Sequence, residues 1–200
     1  MKIVVIGATG LIGKEIVQAL GGSHDVVPVG HSSGDLRVDI TSKQSIEAMF
    51  KKIGPFDALV SAAGRAAFGE LAKLTDEEFA LGLADKLMGQ VNLVRLGLAV
   101  VREKGSFTLT SGVLAREPMP GSAAISLVNS GIEGFVRAAA LQMPRGVRIT
   151  DVSPPFATET LKALGMDQSI GLPVRTFVKA YRQAVEGTSN GETLDVRKWQ

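Results

Sequence analysis

The chain has 200 residues, a length typical of one domain, with 45% hydrophobic and 21% charged residues, the balance of an ordinary globular protein. This apolar content excludes disorder, and the aperiodic spacing of the 23 glycines excludes collagen. The lack of cysteine excludes disulfides and thiolate chemistry, and two histidines are too few for a histidine-based zinc site. A formal charge of +2 without clustered basic residues speaks against nucleic acid as a partner.

No apolar run approaches the roughly 18 residues that span a bilayer, so the sequence predicts no membrane partner. After Met1 and Lys2 comes a short apolar stretch that ends at a glycine and is too short for a signal-peptide core. The sequence therefore predicts a cytoplasmic protein with a single domain over residues 1–200.

Strand-like and helix-like segments alternate along the whole chain. The predicted strands cover 2–6, 26–29, 36–40, 57–61, 105–110, 147–152 and 193–196. The predicted helices cover 11–20, 43–53, 75–102, 121–143 and 173–186. Thr41 or Ser42 caps the second helix, and Thr75 begins a capping box with Glu78. The alternation predicts an α/β, Rossmann-like, doubly wound fold, with a mainly parallel seven-stranded sheet and helices on both faces.

The turn between the first strand and the first helix contains a glycine motif, and this motif is the strongest indication of function in the sequence. Gly7 allows a sharp turn, Gly10 allows the backbone to approach a phosphate, and Gly13 allows the helix to pack closely on the sheet. The free N–H groups of the helix N-terminus favour a pyrophosphate there. The predicted dinucleotide contacts in this turn are Gly7, Thr9, Gly10, Leu11, Ile12 and Gly13.

The loop after the second strand bears on the choice of cofactor. NAD-binding proteins place an acid there for the ribose hydroxyls. Here His31, Ser32 and Ser33 follow the strand, and no acid comes before Asp35. An imidazole and two hydroxyls suit a 2′-phosphate, so NADP(H) is favoured over NAD(H). The arginine expected beside such a phosphate is missing from this loop, so NAD(H) remains open.

With these motifs the sequence resembles the short-chain dehydrogenase/reductase family over nearly its whole length. The segments that carry the resemblance are 7–13, 38–40, 61–64, 108–112, 132–138 and 147–155. The resemblance implies further cofactor contacts at Asp39, Ile40, Ala62, Ala63, Gly64, Pro154 and Pro155. It also implies hydride transfer by a set of Asn, Ser, Tyr and Lys side chains.

The resemblance places Ser111 at the position of the family's serine, which orients the substrate oxygen. It places Ile125 at the tyrosine, Asn129 at the lysine and Lys86 at the asparagine. We interpret the last two as a reciprocal exchange, in which Lys86 supplies the ammonium and Asn129 is its hydrogen-bond partner. A slipped alignment would instead put Asn92 at the asparagine position.

Two classes of function follow as expectations. The first is hydride transfer between NADP(H) and a small carbonyl or alcohol, with Ser111, Lys86 and Asn129 as the catalytic residues. The proton donor would be Lys86, or a water held by Lys86 and Asn129. The second is a catalytically silent NADP(H)-binding protein that acts through a partner, and an assembly role is a further possibility.

Three other features are predicted from the same comparison. The only tyrosine, Tyr181, is expected to be an ordinary residue of an amphipathic helix. Residues 156–171 are expected to form a short substrate lid, with Leu161, Leu164 and Met166 as its apolar candidates. A homodimer or homotetramer is expected to form through the helices around 82–102 and 121–143.

Overall fold

The structure, a computed structural model, describes residues 1–199, and its strands form one parallel sheet. The strand order is β3-β2-β1-β4-β5-β6-β7, and every neighbouring pair is parallel. This confirms the predicted fold class. The strands are β1 Lys2–Ile6, β2 Asp25–Gly30, β3 Leu36–Arg37, β4 Phe56–Ser61, β5 Val101–Thr110, β6 Arg148–Ser153 and β7 Thr193–Asp195.

Helices follow the strands and cover both faces of the sheet. They are α1 Leu11–Gly21, α2 Lys43–Ile53, α3 Asp76–Gly82, α4 Met88–Gly97, α5 Ala123–Ala139, α6 Thr158–Ala163 and α7 Val178–Glu186. A π-helical segment, Leu83–Leu87, joins α3 to α4. Of the two caps left open for α2, Ser42 is the one used, and the capping box of Thr75 and Glu78 is confirmed.

The central strands are buried on both faces, which explains their unbroken apolar sequences. Val4 and Ile6 of β1 belong to the core that is shared with α2, α4 and α5. Ile3 and Val5 point the opposite way, into the core shared with α1 and α7. The period of two along a strand therefore fills both hydrophobic layers from the same five residues.

The predicted third strand is too long. β3 covers only Leu36–Arg37, although Val38 and Ile40 are buried as expected. Its end is set by Asp39, whose carboxylate accepts hydrogen bonds from the amide and the hydroxyl of Thr41. This local turn leads directly into the N-cap of α2 and removes the backbone from the sheet.

The predicted helix to residue 102 is wrong at its end. α4 stops at Gly97, and β5 begins at Val101 rather than at Gly105. A Cβ on Gly97 would lie 2.8 Å from the Phe107 ring, so the helix end is pressed against the sheet. The chain then turns at once and pairs Val101 with Phe56.

Two further helices are shorter than predicted. α5 covers Ala123–Ala139 and is followed by a 3-10 turn over Ala140–Gln142. The segment predicted as a helix over 173–186 divides into a 3-10 turn at Val174–Thr176 and α7. Within the described residues, no helix is long and apolar enough to cross a membrane.

The topology brings the loops that contain the predicted site residues to one edge of the sheet. The strand order reverses between β1 and β4, and ligands of such sheets bind beyond the carboxyl ends at this point. Gly7 follows β1, Ala62 follows β4, and Ser111 follows β5. These residues therefore converge although the sequence separates them widely.

Tyr181 lies in the core behind this edge and is fully buried. Thr110 donates its hydroxyl proton to the Ser61 carbonyl, so the Tyr181 hydroxyl must donate to Thr110 Oγ1, 2.7 Å away. Burial raises the pKa of the Tyr181 phenol, which therefore stays protonated.

We expect Tyr181→Phe to lower the free energy of unfolding by about 0.5–1.5 kcal/mol, the usual net value of one hydrogen bond. Urea denaturation at neutral pH measures this. A loss above about 3 kcal/mol would contradict the single bond to Thr110 as the role of the hydroxyl.

Candidate functional site

The turn after β1 is shaped to receive an anion. Gly7 has φ +79°, and a Cβ there would lie 2.7 Å from the Ala62 carbonyl oxygen. A Cβ on Gly13 would overlap the Gly7 carbonyl, so only glycine allows α1 to lie this close to β1. Gly10 is the N-cap of α1 and provides no side-chain cap. The first N–H groups of the helix are therefore left for an anionic ligand.

A cavity of about 290 Å³ opens beside this turn, beyond the ends of β1 and β2. The side chain of Asp39 lines it, and the Thr41 hydroxyl and amide hold the pKa of Asp39 below its usual value. Six of the sixteen predicted cofactor contacts, from four loops, line this cavity. The predicted residues that line it are Gly7, His31, Asp39, Ile40, Ala63 and Gly64.

Arg65 lines the same cavity and was missed by sequence reasoning. Its Nε donates to Asp85 Oδ2 at 3.0 Å, and its backbone amide donates to Asp85 Oδ1. Asp85 is 6% exposed and holds one end of the guanidinium by this ion pair. Most of the Arg65 side chain is exposed to solvent. Arg65 follows β4 and His31 follows β2, so only the tertiary structure brings them to one cavity.

The remaining predicted cofactor contacts lie around this cavity. Leu11, Ile12, Ala62 and Pro155 line an adjoining groove at the N-terminus of α1. Ser32 and Ser33 are exposed in the loop after β2, and Thr9 lines a separate groove between α1 and β2. The predicted contacts therefore divide between the cavity beside the glycine turn and neighbouring grooves, and Ser32 and Ser33 are exposed.

The three predicted catalytic residues lie in a second, smaller cavity of about 130 Å³. Lys86, Ser111 and Asn129 all line it. The other walls are apolar or backbone, and they include the predicted contacts Pro154 and Pro155. The full lining also contains Gly112, Val113, Leu114, Ile125 and Phe156.

Several features hold Lys86 in this cavity. It lies in the π-helical segment, a geometry that is frequent at functional sites. Gly64 has φ +122°, and a Cβ there would lie 2.8 Å from Lys86 Cα, so the lysine stem packs directly on the glycine. Lys86 Nζ donates to the Ser111 carbonyl at 3.2 Å. Burial lowers the pKa of Lys86 to about 8.

Asn129 comes from α5, lines the same cavity as Lys86 and is 1% exposed. The hydrogen bond expected between Lys86 and Asn129 is not formed, because Lys86 Nζ donates to the Ser111 carbonyl instead. Its Oδ1 is buried without a hydrogen-bond partner in the structure. A buried acceptor without a donor is costly, which points to a ligand or water that supplies one. Asn92, the alternative from the slipped alignment, lies in α4 and accepts from Arg95. It does not line this cavity.

Ser111 occupies the expected place, but its hydroxyl is engaged elsewhere. Ser111 Oγ donates to Asp151 Oδ2 at 2.6 Å, and Thr193 Oγ1 donates to Asp151 Oδ1 at 2.8 Å. Asp151 is fully buried, and burial raises its pKa to about 6 against the opposing effect of these two bonds. Asp151 was not predicted as part of the site, because an isolated acid within an apolar strand has no recognisable spacing.

Phe156, which lines the smaller cavity, belongs to an aromatic pair. Phe68 and Phe156 make an edge-to-face contact with centroids 6.4 Å apart. Phe68 comes from the loop after β4, whose Gly69 amide donates to the Gly121 carbonyl. Of the three apolar candidates predicted for a lid, Leu161 is buried, Met166 is partly buried and Leu164 is exposed, and none of them lines the cavity. From the same segment, 156–171, it is Phe156 that lines the cavity.

The doubly wound sheet, the glycine turn and the cavity at the switch point define a dinucleotide-binding Rossmann fold. A family model described as enoyl-(acyl carrier protein) reductase matches residues 11–186. The chain therefore belongs to the short-chain dehydrogenase/reductase family.

Similar proteins are known in sequence and structure. The crystal structure of the protein lin1944 from Listeria innocua is 38% identical, with a TM-score of 0.94 and coverage of 98% of this chain and 99% of that one. A small-chain dehydrogenase solved in complex with NADPH is 24% identical, with a TM-score of 0.86 over 98% of this chain and 95% of that one. A 3-oxoacyl-[acyl-carrier-protein] reductase of Mus musculus is 24% identical over 72% of this chain. The chain spans 60% of that relative's length.

The partly buried side chain of Lys86 predicts an unusual effect on stability. The pKa of Lys86 is near 8 in the folded protein and 10.5 when unperturbed, so the unfolded state binds more protons between these values. Wild-type stability should therefore rise as the pH increases from about 8 to 10. We expect Lys86→Met to be more stable than wild type at pH 7, by about 1–3 kcal/mol, and to lack this rise.

Chemical denaturation at pH 7, 8, 9 and 10 measures both effects. Lys73→Met is the matched control, because Lys73 is exposed and forms a surface ion pair with Glu70. Equal pH profiles for wild type and Lys86→Met would contradict a desolvated Lys86.

Proposed function

We propose that the protein is an NADP(H)-dependent oxidoreductase that reduces a small, apolar carbonyl compound, or oxidises the corresponding alcohol, with Lys86 as the proton-transfer group. The observation that carries the proposal is the placement of Lys86 and Asn129 in one apolar cavity beside the dinucleotide turn. Membership of the family supports hydride transfer as the reaction class.

The chain's residues fit a bound dinucleotide. The α1 N-terminus lacks a side-chain cap. A Cβ at Gly7 or Gly13 would collide with neighbouring backbone atoms, so the turn keeps its shape only with glycine at both positions. The buried Oδ1 of Asn129 requires a donor, which a ribose hydroxyl provides. Pro154 and Pro155 are suited to hold the nicotinamide end, and the bound nicotinamide supplies the hydride.

The preference for a 2′-phosphate rests on cationic and imidazole donors at the adenosine end. His31 and Arg65 line the same cavity, with Arg65 held by Asp85. A guanidinium binds phosphate through charge-assisted hydrogen bonds. Arg65 thus supplies the arginine that the loop after β2 lacks, and Ser32 and Ser33 lie within the same loop as His31.

Lys86 is suited to release a proton near neutral pH. An ordinary lysine holds its proton too tightly to serve as an acid at pH 7, whereas a pKa near 8 matches the working range. Nζ is oriented by the Ser111 carbonyl, which leaves its other protons for the reacting oxygen. In reduction, Nζ–H gives its proton to the oxygen of the substrate, and in oxidation the neutral amine takes it back.

The size and lining of the smaller cavity restrict the substrate. Its volume of about 130 Å³ is below the usual range for drug-sized ligands. Val113, Leu114, Ile125 and Phe156 provide apolar walls. A short apolar group next to the carbonyl fits this space.

A catalytically silent NADP(H)-binding protein is the second candidate. Two observations favour it. Ile125 lines the same cavity as Lys86 and presents no proton there, and the Ser111 hydroxyl is bound to Asp151. Cofactor binding without turnover on any carbonyl would select this candidate.

We also propose a homodimer or homotetramer formed through the helices around 82–102 and 121–143. Leu83 and Met88 are exposed on the first of these regions, and Leu127 is 49% exposed on α5. Burial of these side chains against a second copy would remove apolar surface from water.

We expect NADPH to bind more tightly than NADH, and Arg65 to account for much of the difference. Arg65→Ala should raise the Kd for NADPH by about 10- to 100-fold relative to that for NADH, the value of one charge-assisted hydrogen bond. The substitution is best made in the Asp85→Asn background, so that no unpaired carboxylate remains in the cavity. Nucleotide fluorescence titration measures both constants.

Arg102→Ala is the control for this titration, since Arg102 pairs with Asp57 at the start of β4, far from the carboxyl edge. An unchanged NADPH-to-NADH ratio in Arg65→Ala would remove Arg65 from cofactor selection. If neither nucleotide binds to wild type, both candidate functions are contradicted.

We expect Lys86→Met to lower kcat/KM for NADPH-dependent reduction of reactive small carbonyls by about 10²- to 10⁴-fold, the usual effect of losing a general acid. Wild-type reduction should also slow as the pH rises through about 8, where Lys86 loses its proton. Nucleotide absorbance over a panel of aldehydes, ketones and diketones measures the rate. Lys73→Met should match wild type, and equal rates for Lys86→Met would exclude Lys86 as the proton donor.

A further inference from the structure

We infer that Asp151 is a positioning residue that withdraws the Ser111 hydroxyl from the reacting oxygen and returns it when the carboxylate is protonated. The inference rests on the proposed function, because it concerns the polar groups of the same cavity. It assigns a role to a buried acid that the proposed reaction does not otherwise use.

The geometry of the Ser111–Asp151 contact supports this role. The 2.6 Å distance between Ser111 Oγ and Asp151 Oδ2 is typical of a hydroxyl that donates to an ionised carboxylate. Both side chains are at least 98% buried, so water does not compete for the bond. The second oxygen of Asp151 is occupied by Thr193, which fixes the carboxylate from β7.

A hydroxyl carries only one proton, and this decides what Ser111 offers to the cavity. While the proton is donated to Asp151, Oγ has only lone pairs left and cannot stabilise negative charge on a substrate oxygen. The donors for that oxygen are then Lys86 Nζ and the Asn129 amide. When Asp151 is neutral, its own proton satisfies Oγ, and the serine proton is released for another acceptor, either the Glu133 carboxylate, which also lies within reach of the Ser111 hydroxyl, or a substrate oxygen in the cavity.

The charges around Asp151 help to set the pH at which its carboxylate gains a proton, and that pH lies in a range that experiments can reach. Glu133 from α5 lies near enough to raise the pKa of Asp151, whereas Arg116 lowers it. Tyr181 from α7 also senses the Asp151 charge but stays neutral. Burial dominates, and the pKa of Asp151 is about 6.

The first test does not require turnover. Carboxyl ¹³C chemical shifts give the titration midpoint of Asp151 in wild type, Ser111→Ala and Thr193→Val. Each substitution removes one hydrogen bond to the charged form, so each should raise the midpoint by about 1–2 pH units. An unchanged midpoint in Ser111→Ala would overturn the proposal, whether or not the protein is an enzyme.

The second test compares wild type with Ser111→Ala in the reductase assay between pH 5 and pH 8. The ratio of their kcat/KM values should rise about tenfold as the pH falls through the Asp151 midpoint, because only the neutral acid frees the serine proton. In the Thr193→Val background, the rise should move to higher pH together with the Asp151 midpoint. If Asp151 had only a structural role, Thr193→Val would not shift the pH at which the kcat/KM ratio rises.

The two tests separate failure of this inference from failure of the proposed function. A flat ratio in an active enzyme overturns the role of Asp151 while the proposed function stands. A shifted Asp151 midpoint supports the capture of the Ser111 hydroxyl even if no carbonyl is reduced, and absence of turnover then counts against the proposed function alone.

Discussion

Burial of the central parallel strands between two layers of helices is the constraint on which the site depends. Because every strand runs in the same direction, the loops after β1, β4, β5 and β6 all emerge at one edge. The dinucleotide turn, the Lys86 cavity and the Ser111–Asp151 pair are therefore neighbours by topology. Gly13 tightens this edge, since any side chain there would push α1 away from the turn.

Lys86 shows how the fold supports a costly group. An ammonium in an apolar cavity is destabilising, and its only hydrogen-bond partner in the structure is the Ser111 carbonyl. The π-helical segment and the bare backbone of Gly64 give the lysine stem its place. Such an arrangement lowers stability and, in the proposed reaction, makes a proton available near neutral pH; groups with a perturbed pKa cluster at functional sites.

Short sequence patterns correctly predicted the turns and caps that are formed by residues close together in the sequence. The glycine turn, the Ser42 cap and the capping box of Thr75 and Glu78 depend on residues within a few positions of each other. The end of α4 at Gly97 and the start of β5 at Val101 depend instead on contact with Phe107 and pairing with Phe56. No local pattern marks those partners, so these boundaries were predicted wrongly.

By itself, the sequence determined the α/β class, the parallel sheet and the glycine turn after the first strand. Hydrophobic periodicity follows from helix and strand geometry, and the glycine spacing follows from what the backbone of the turn requires. Only the tertiary structure decided which side chains meet at the edge of the sheet. It brought Arg65 to His31, and Asp151 to Ser111, across long stretches of chain. Side-chain direction and burial set these contacts, and they arise only when the strands and helices pack together.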